Sequence, residues 1–380
     1  MKLFFKRALS IIVLFALIIP ALPVFSVKNT PALSAKSAIL IDASDTSVLY
    51  EKNAHERMGM ASTTKIMTAL VVSEAMPLDK TVSIPKEAVN IEGSSVYLCE
   101  GEILSVRELL FALLLASAND AAAALAIACS GSIEAFADEM NEKADALGLC
   151  DTHFTNPHVL YDEMHYTTAY DLAIITKEAM QNHELCEIFA SKKATIPQGV
   201  SESKPFGLAT RYLQNHNKLL KSYEGAIGVK TGFTKKTGRC LVSAAERDGL
   251  RLIAVTLSAP DDWRDHTSML DYGFENYESV TFFDVGEFTH CFPVSNGQED
   301  YVTLTNEKPI RLTQKKGEQS SKLTVLSCRR FELAPIDCGA ELATLELTSE
   351  GKSATSPLIA AHSVQQHKNN SKLKDFLWNS

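Results

Sequence analysis

The first half of the chain alternates short apolar runs with longer amphipathic stretches. Ala38–Ile41 and Val48–Tyr50 have the length and composition of strands, and the polar segment Asp42–Ser47 reads as the turn between them. From about Ser62 the apolar positions repeat at helical spacing. The same spacing predicts further helices over Val106–Leu115, Ala118–Cys129, Ile133–Leu147 and Ala169–Met180. The helical stretches Val106–Leu115 and Ala118–Cys129 follow each other closely and are separated at Ser117.

The second half of the chain changes to strand patterning. Gly225–Thr231, Arg239–Ala245 and Leu250–Leu257 are separated by turn residues, which predicts an antiparallel three-stranded meander. His266–Glu275 again has helical periodicity. Beyond Asp284 the predicted strands are short, at Tyr301–Leu304, Ile310–Leu312, Lys322–Val325 and Glu341–Leu347. These patterns predict a mixed α/β (α+β) domain over 35–280 and a smaller all-β domain over 285–365.

The N-terminus has the pattern of a secretory signal peptide over residues 1–26. A basic head is followed by the apolar run Leu9–Ile19, which is shorter than a membrane span requires. We expect cleavage after Ser26, or else within Pro31–Ala35; an uncleaved anchor is the alternative. The sequence therefore predicts an exported protein that works outside the cytoplasm, at the cell wall or on the outer face of the membrane.

Composition and charge exclude several classes of protein. Of the 380 residues, 46% are hydrophobic and 22% charged, which is typical of a folded globular chain. Lys and Arg number 37 against 46 Asp and Glu, and the net charge of −9 argues against nucleic-acid binding. The tail, 366–380, carries Leu373, Phe376, Leu377 and Trp378 beside several lysines. It reads either as a weak peripheral membrane contact or as a frayed end.

Eight cysteines are scattered along the chain without any C-x-x-C spacing. That distribution argues against a metal site, and no cofactor motif occurs, so we expect neither. Buried free thiols are the expectation for most of the cysteines. Pairing of Cys328 with Cys338, which an exported protein would permit, stays open.

The first candidate motif for catalysis is Ser62-Thr63-Thr64-Lys65, at the start of an apolar helix. Ser62 and Lys65 then lie one turn apart on the same helix face. A serine hydroxyl needs a base to become a nucleophile, and a lysine serves when burial or nearby positive charge lowers its pKa. The alternative is a capping serine next to a solvated lysine.

The second motif is Ser117-Ala118-Asn119, at the break between two predicted helices. A hydroxyl and an amide two residues apart on a short connector can both face a cleft. Ser117 would then pass a proton to the leaving amine, and Asn119 would hold a substrate carbonyl and the lysine. The alternative is a plain helix junction, with either residue serving as a cap.

The third motif is Lys230-Thr231-Gly232, which we expect at the end of an apolar strand. Lys230 and Thr231 could bind a substrate carboxylate, while Gly232 permits close approach of the backbone. The backbone N–H of Phe233 could then stabilise an oxyanion. A surface strand end with a polar turn is the alternative.

The three motifs together, each in a matching structural context, are those of the serine enzymes that recognise penicillin. From about Ser37 to Ala361 the chain resembles the low-molecular-weight penicillin-binding proteins that act as D-alanyl-D-alanine carboxypeptidases. The resemblance is carried by Asp42-Ala43, Ala61–Thr68, Gly93–Ser95, Leu115–Ala122, Asn156–His158, His165–Asp171, Asn217–Leu220 and Gly228–Thr234.

The resemblance implies an antiparallel sheet flanked by helices, with a helical insert, and a small C-terminal β-domain. It implies removal of the last D-alanine from peptidoglycan stem pentapeptides through an acyl-serine intermediate, and binding of β-lactams. By position, the catalytic residues would be Ser62, Lys65 and Ser117, and the substrate-binding residues Asn119, Lys230, Thr231, Gly232 and Phe233. The N–H groups of Ser62 and Phe233 would form the oxyanion hole.

One departure from the family and two alternative functions remain at this stage. Val159 follows Asn156-Pro157-His158 where the family usually has glycine, and a β-branched residue would be strained there if the position needs positive φ. A β-lactamase on the same scaffold would need a water-activating glutamate, and Glu178…Asn182 is a poor match for that motif. A non-catalytic wall-binding protein is the other alternative.

Overall fold

The computed structural model describes residues 30–159, 162–199, 209–318, 323–349 and 352–367. The predicted signal segment, the first residue of the predicted strand Lys322–Val325 and most of the predicted membrane-contact tail lie outside these ranges. Their predictions therefore stand without a structural test.

The first domain contains short strands and helices in a mixed order. Its strands are β1 (Ser37–Asp42), β2 (Val48–Lys52), β3 (Thr81–Ser83), β4 (Ile103–Ser105), β5 (Lys193–Pro197), β6 (Thr210–Gln214), β7 (Ala226–Thr234), β8 (Gly238–Arg247) and β9 (Leu250–Leu257). Its helices are α1 (Lys65–Ala75), α2 (Val106–Leu115), α3 (Asn119–Ser130), α4 (Ile133–Ala146), α5 (Ala169–Ala179), α6 (His183–Ala190), α7 (Leu219–Ser222) and α8 (Asp262–Asn276). Short 3₁₀ turns occur at Ala61–Thr64 and Lys86–Ala88.

A five-stranded antiparallel sheet in the order β2-β1-β9-β8-β7 is the centre of this domain. Successive residues of β1 face opposite sides, as the two-residue period of a strand requires. Ile39 and Ile41 join the large apolar cluster that contains helices α1 to α6. Ala38 and Leu40 pack with Leu270 of α8 on the other face. The predicted arrangement of an antiparallel sheet with helices on both faces is confirmed.

Helices α2 and α3 bring a polar connector into the apolar core. Helix α2 starts with a capping box, in which Ser105 accepts from Glu108 N while the Glu108 side chain accepts from Ser105 N. The helix gives way at Ser117, a buried residue in the left-handed region (φ 58°), and α3 begins at Asn119. In the described ranges no single helix is long and apolar enough to cross a bilayer; only the bent pair α3–α4 meets the test of length and composition.

The second domain is all β. Its strands are β10 (Tyr277–Phe283), β11 (Thr289–Ser295), β12 (Tyr301–Asn306), β13 (Ile310–Lys315), β14 (Leu323–Cys328), β15 (Glu332–Leu333), β16 (Glu341–Ser349) and β17 (Lys352–Ala360). Six of them form a sheet in the order β14-β16-β17-β12-β11-β15, and β10 pairs with β13. The domain has its own apolar core, centred on residues such as Leu304, Leu345 and Leu358.

The two domains meet at the turn between β1 and β2. Thr313 N donates to Asp45 Oδ2 at 2.9 Å, and Thr313 Oγ1 donates to Asp42 Oδ2. Burial is the main reason that the pKa of Asp42 is raised, with the nearby Asp45 charge second. Helix α8 ends at Asn276 and β10 begins at the next residue, so no flexible linker separates the domains.

Two expectations need correction, and some elements were not predicted. Lys230-Thr231-Gly232 lies inside β7, which continues to Thr234 because its ladder with β8 extends to the pair Thr234↔Gly238. The helix α6 and the hairpin β5–β6 were not predicted. The cysteines are free thiols, but only Cys240 is fully buried; four of the eight are exposed, because they lie in loops or on outward strand positions.

Candidate active site

Ser62 and Lys65 lie next to each other at the start of α1. The 3₁₀ turn Ala61–Thr64 leads directly into the helix, and Ala61 takes a positive φ of 47° at its beginning. Lys65 Nζ lies 3.4 Å from Ser62 Oγ. Lys65 is fully buried, whereas Ser62 is partly exposed. A nucleophile open to solvent is therefore paired with an amine that is not.

The surroundings of Lys65 favour its neutral form. Its Nζ lies 2.6 Å from Asn119 Oδ1 and 3.2 Å from the backbone oxygen of His158. Burial holds the pKa of Lys65 well below its ordinary value, and the Lys230 charge lowers it further, while Asp120 raises it by a smaller amount. A neutral amine within reach of a serine hydroxyl is the arrangement that general-base catalysis requires.

Asn119 is held by the loop that precedes α2. Its Nδ2 donates to Glu92 O at 2.6 Å, and its backbone N donates to Ser94 O at 2.7 Å. A Cβ at Gly93 would stand 2.6 Å from Asn119 Nδ2, so the loop approaches this closely only as glycine. The amide oxygen of Asn119 is thereby left directed at Lys65.

Ser117 lies two residues before Asn119, at the break between α2 and α3. It is 5% exposed. Within the described residues its hydroxyl makes no hydrogen bond to Ser62 or Lys65, whereas Asn119 Oδ1 accepts from Lys65 Nζ. The proton-transfer role of Ser117 stays a prediction.

The third motif lies on β7, which is the last strand of the sheet. Lys230 is buried and its Nζ donates to Thr231 O at 2.8 Å. Burial lowers the pKa of Lys230 to about 7. Because the charge of Lys230 acts on Lys65, the two lysines lie close enough for one to control the protonation of the other.

Gly232 brings β7 against the nucleophile. A Cβ there would lie 3.0 Å from Ser62 N, 3.0 Å from Ala61 Cβ and 3.2 Å from Met60 O. Only glycine lets the strand come this close to the main chain of Ser62. The next residue, Phe233, has an exposed side chain, so its predicted part in the site depends on its backbone alone.

The loop Asn156–Val159 closes the other side of Lys65. Thr68 Oγ1 donates to Pro157 O at 2.8 Å, and Asn156 Oδ1 accepts from Val159 N at 2.6 Å. Val159 has a φ of +80°, so the position does need the left-handed conformation that glycine adopts without strain. Burial, and then Lys65, lower the pKa of His158 to about 4.

Sequence reasoning missed two contributors to the site. The carbonyl oxygen of His158 contacts Lys65, and main-chain atoms leave no mark in a sequence. Asp120 holds the loop 95–98 by accepting from Ser95 Oγ at 2.6 Å and from Leu98 N at 3.0 Å. Its place directly after the Ser-x-Asn motif is the one signal that could have indicated this role.

Glu178, the glutamate in the poor match to the β-lactamase motif, takes part in an ion pair. It is on α5, where Lys143 Nζ donates to its Oε1 at 3.2 Å and also to Glu74 Oε1 at 2.7 Å. Glu178 is therefore part of a surface ion-pair group. Among the described residues no cluster of three or more His, Cys, Asp or Glu side chains could hold a metal ion.

Comparison with protein families gives two matches along the chain. A family profile described as D-alanyl-D-alanine carboxypeptidase matches residues 24–261. A second profile, described as the C-terminal domain of penicillin-binding protein 5, matches residues 277–366. The boundary between the two profiles falls at α8, where the structure passes from the mixed domain to the β-domain.

Individual relatives cover almost the whole chain. D-alanyl-D-alanine carboxypeptidase DacF of Bacillus subtilis is 36% identical over 351 residues, which is 89% of this chain and 88% of the relative. Penicillin-binding protein 5 from Haemophilus influenzae has a TM-score of 0.67 at 27% identity, covering 89% of this chain and 99% of that structure. The Streptomyces K15 DD-transpeptidase has a TM-score of 0.61 at 33% identity, covering 65% and 99%.

Proposed function

The chain belongs to the D-alanyl-D-alanine carboxypeptidase family, and we propose that it removes the terminal D-alanine of peptidoglycan pentapeptides through an acyl intermediate on Ser62. It is a serine-type carboxypeptidase, a hydrolase, and a penicillin-binding protein. The comparisons do not favour a β-lactamase or a non-catalytic wall-binding protein.

The observation that carries the assignment to Ser62 is the position of the Lys65 amine. It is fully buried, is 3.4 Å from Ser62 Oγ and is held by Asn119 Oδ1. The positive charge of Lys230 next to it favours loss of its proton. Lys65 is therefore the group that takes the Ser62 proton as the oxygen attacks.

Acylation follows from this arrangement. The Ser62 hydroxyl proton passes to Lys65 Nζ while Oγ bonds to the carbonyl carbon of the penultimate D-alanine. The N–H groups of Ser62 and Phe233 stabilise the oxyanion. The close approach of Gly232 to the main chain of Ser62, where an added Cβ would lie 3.0 Å from Ser62 N, supports this assignment. The bond to the leaving nitrogen then breaks, and that nitrogen receives, by way of Ser117, the proton that Lys65 took from Ser62. Lys65 is neutral again, and D-alanine departs as the free amino acid.

Deacylation reverses the proton path. Lys65 accepts a proton from water as the water oxygen bonds to the acyl carbon, and Ser62 Oγ regains its proton when the ester bond breaks. Lys230 and Thr231 hold the terminal carboxylate of the incoming peptide. Because a β-lactam also carries a carboxylate next to a reactive amide, the same groups direct it to Ser62.

We infer that the protein works outside the cytoplasm, since its substrate class is part of the cell wall. The basic and apolar pattern of residues 1–26 supports export. The apolar spacing at Leu373, Phe376 and Leu377 supports a weak peripheral membrane contact. Fractionation of cells that produce the full chain, with and without residues 366–380, tests both inferences; recovery of the full chain in the cytoplasm would contradict them.

The catalytic assignment is tested with penicillin and with a D-Ala-D-Ala peptide. We expect mass spectrometry to find one penicilloyl group on the peptide that contains Ser62, and a D-alanine assay to find release. Ser62→Ala should lose both activities and keep the circular dichroism of the parent, while Ser73→Ala, a change on the same helix, should keep both. An adduct on another residue, or D-alanine release by Ser62→Ala, overturns the assignment.

A further inference from the structure

The loop 92–99 holds Asn119, and its own shape depends on side chains from other parts of the domain. The structure describes the whole loop, and none of its residues belongs to a helix or a strand. Tyr97 takes a positive φ of 58° within it. Glu92 and Ser94 supply the two carbonyl oxygens that accept from Asn119. Because the loop has no backbone ladder, the groups that fix it also fix Asn119.

The ion pair of Glu102 and Arg211 holds this loop by its main chain. Arg211 Nη1 lies 2.5 Å from Glu102 Oε1, and Nη2 lies 2.9 Å from Oε2. Arg211 Nε also donates to Val96 O at 2.8 Å, and Nη2 donates to Tyr97 O at 3.1 Å. Glu102 Oε2 accepts from Cys99 N at 3.0 Å. The pair therefore fixes three residues of the loop through their main-chain atoms.

The same ion pair connects the loop to the hairpin β5–β6. Arg211 is on β6, and its Nη1 also donates to the oxygen of Pro197, the last residue of β5, at 3.1 Å. Glu102 Oε1 accepts from Gly199 N at 2.6 Å. The five N–H groups of the guanidinium thus have five acceptors, which is the full capacity of an arginine and more than the three donors of a lysine can supply.

Burial distinguishes this ion pair from those on the surface. The side chain of Glu102 is 1% exposed and that of Arg211 is 13% exposed. Burial raises the pKa of Glu102, but the hydrogen bonds from Arg211, Cys99 N and Gly199 N outweigh it and hold that pKa below its ordinary value. Removing one partner of a buried pair is costly, because the other charge is left without compensation. The loop is therefore held by a contact that water does not readily replace.

A continuous set of contacts joins the ion pair to the catalytic amine. Asp120 fixes the loop beside Asn119, and the ion pair fixes it again on the hairpin side. The loop in turn accepts from both Nδ2 and the backbone N of Asn119. With these contacts made, Asn119 Oδ1 lies 2.6 Å from Lys65 Nζ. A displacement of the loop therefore displaces the group that orients Lys65.

We propose that Arg211 and Glu102 are positioning residues for acylation, and that they act by fixing loop 92–99. The loop holds the amide of Asn119, whose oxygen keeps Lys65 Nζ within reach of the nucleophile. The inference rests on the proposed function, because that function makes Lys65 the base which must be oriented.

The rate constant for acylation by a penicillin, followed by mass spectrometry of the intact protein, tests the proposal. Arg211→Lys keeps the positive charge but cannot supply five hydrogen bonds, and Glu102→Gln replaces one acceptor with a donor. We expect each change to lower the rate constant between about 10-fold and 100-fold, the scale of a displaced catalytic group. Arg251→Lys, in a partly exposed ion pair with Glu246 at 2.7 Å, is the matched control and should be acylated at the parent rate.

A second mutation separates positioning from a general structural role. In Asn119→Ala the amide that the ion pair positions is absent, so adding Arg211→Lys should change the remaining slow acylation by less than about twofold. A merely structural role would lower acylation by the same factor with or without Asn119. Circular dichroism and thermal unfolding of each variant show whether it has folded.

The outcomes distinguish the positioning role from the proposed function. If the parent protein forms no penicilloyl adduct and releases no D-alanine, the proposed function fails and the positioning role fails with it. The positioning role alone is overturned if Arg211→Lys and Glu102→Gln are acylated at the parent rate, if both lose the circular dichroism of the parent, or if Arg211→Lys has an equal effect without Asn119. A reduction in folded variants that requires Asn119 supports it.

Discussion

Lys65 and Lys230 show how two residues of one kind acquire different tasks. Both ammonium groups are buried, and burial lowers the pKa of each. The positive charge of Lys230 lowers the pKa of Lys65 further, so Lys65 loses its proton more readily than Lys230 does. Lys230, which we expect to bind the substrate carboxylate, therefore keeps its proton more readily. Lys65, which lies next to Ser62, loses its proton more readily.

This coupling predicts the pH dependence of acylation. Acylation needs neutral Lys65, so its rate should fall as the pH decreases through the pKa of that residue. Lys230→Gln removes a neighbouring positive charge, which raises the pKa of Lys65 and should move the acidic limb to higher pH. The rate constant for acylation by penicillin, measured from pH 5 to 10 in both proteins, checks the shift.

Binding by Lys230→Gln should also weaken, since the carboxylate loses its charged partner. The comparison therefore uses the position of the acidic limb, which is independent of the overall rate. An acidic limb that stays in place or moves to lower pH contradicts the coupling of the two lysines. Lys221→Gln, an exposed change on α7, should leave the limb unchanged.

At the scale of elements, the contact between β7 and the 3₁₀ turn sets the geometry of the site. Gly232 is the point where the edge strand touches main-chain atoms of Met60 and Ser62. Main-chain atoms cannot move aside as the end of a flexible side chain can, so an added methyl group must displace β7 or the turn.

Gly232→Ala should therefore reduce acylation by on the order of 100-fold, the scale of losing one oxyanion donor. The cost in stability should be about 1–3 kcal/mol, as for other overpacked sites. Penicillin acylation rates and thermal unfolding check the two values. Gly339→Ala, which places an alanine at φ +86° far from the site with no atom within 4 Å, should lose stability and keep acylation. A normal acylation rate in Gly232→Ala would contradict the assigned contact.

The elements near the catalytic motifs were largely predictable, and some of those between them were not. The break at Ser117 was visible because a polar triplet interrupts two apolar helices, and the meander β7–β9 was visible because turn residues separate its strands. Hairpin β5–β6 was missed, since only its positions Ile196 and Leu213 are fully buried and the alternation is weak. The extension of β7 beyond Lys230 depends on pairing with β8, which is a tertiary contact that local pattern does not encode.

The site itself was predictable as a set of residues but not as a set of distances. Side chains with distinctive chemistry, such as those of Lys65 and Asn119, can be recognised in the sequence from their motifs. The His158 and Glu92 carbonyl groups that orient them are main-chain atoms, present at every position, so only the fold reveals which of them matter. The sequence predicts strain at Val159 only if that position has a positive φ, and the structure shows that it does.

At the scale of the whole molecule, the mixed domain buries several histidines in uncharged form. Burial lowers the pKa of His165 to about 4 and that of His266 to about 3. His266 lies between Ser243 Oγ at 2.5 Å and Thr256 Oγ1 at 2.9 Å, on the α8 side of the sheet. His158, at the catalytic site, has a pKa of about 4. The fold therefore holds neutral rings on both faces of the sheet.

These groups predict acid destabilisation with a defined direction. Below about pH 6.5 the unfolded chain takes up protons on these rings, while the folded chain does so only near pH 4 or 3. Unfolding therefore becomes easier as the pH falls from 6.5 towards 4, by on the order of 2 kcal/mol per histidine at pH 5. Urea unfolding at pH 7 and pH 5, followed by tryptophan fluorescence, checks this. Equal midpoints at the two pH values would count against it.

The close approach of Gly232 to Ser62 N has a consequence for how such an enzyme can evolve under antibiotics. Both donors assigned to the oxyanion belong to the peptide backbone, and every amino acid except proline supplies that N–H group. A substitution at Ser62 or Phe233 by any residue except proline therefore keeps these N–H donors. Such a change cannot make the donors available to the natural peptide and unavailable to a drug. Resistance at this protein would have to arise from residues that contact the natural peptide and the drug differently.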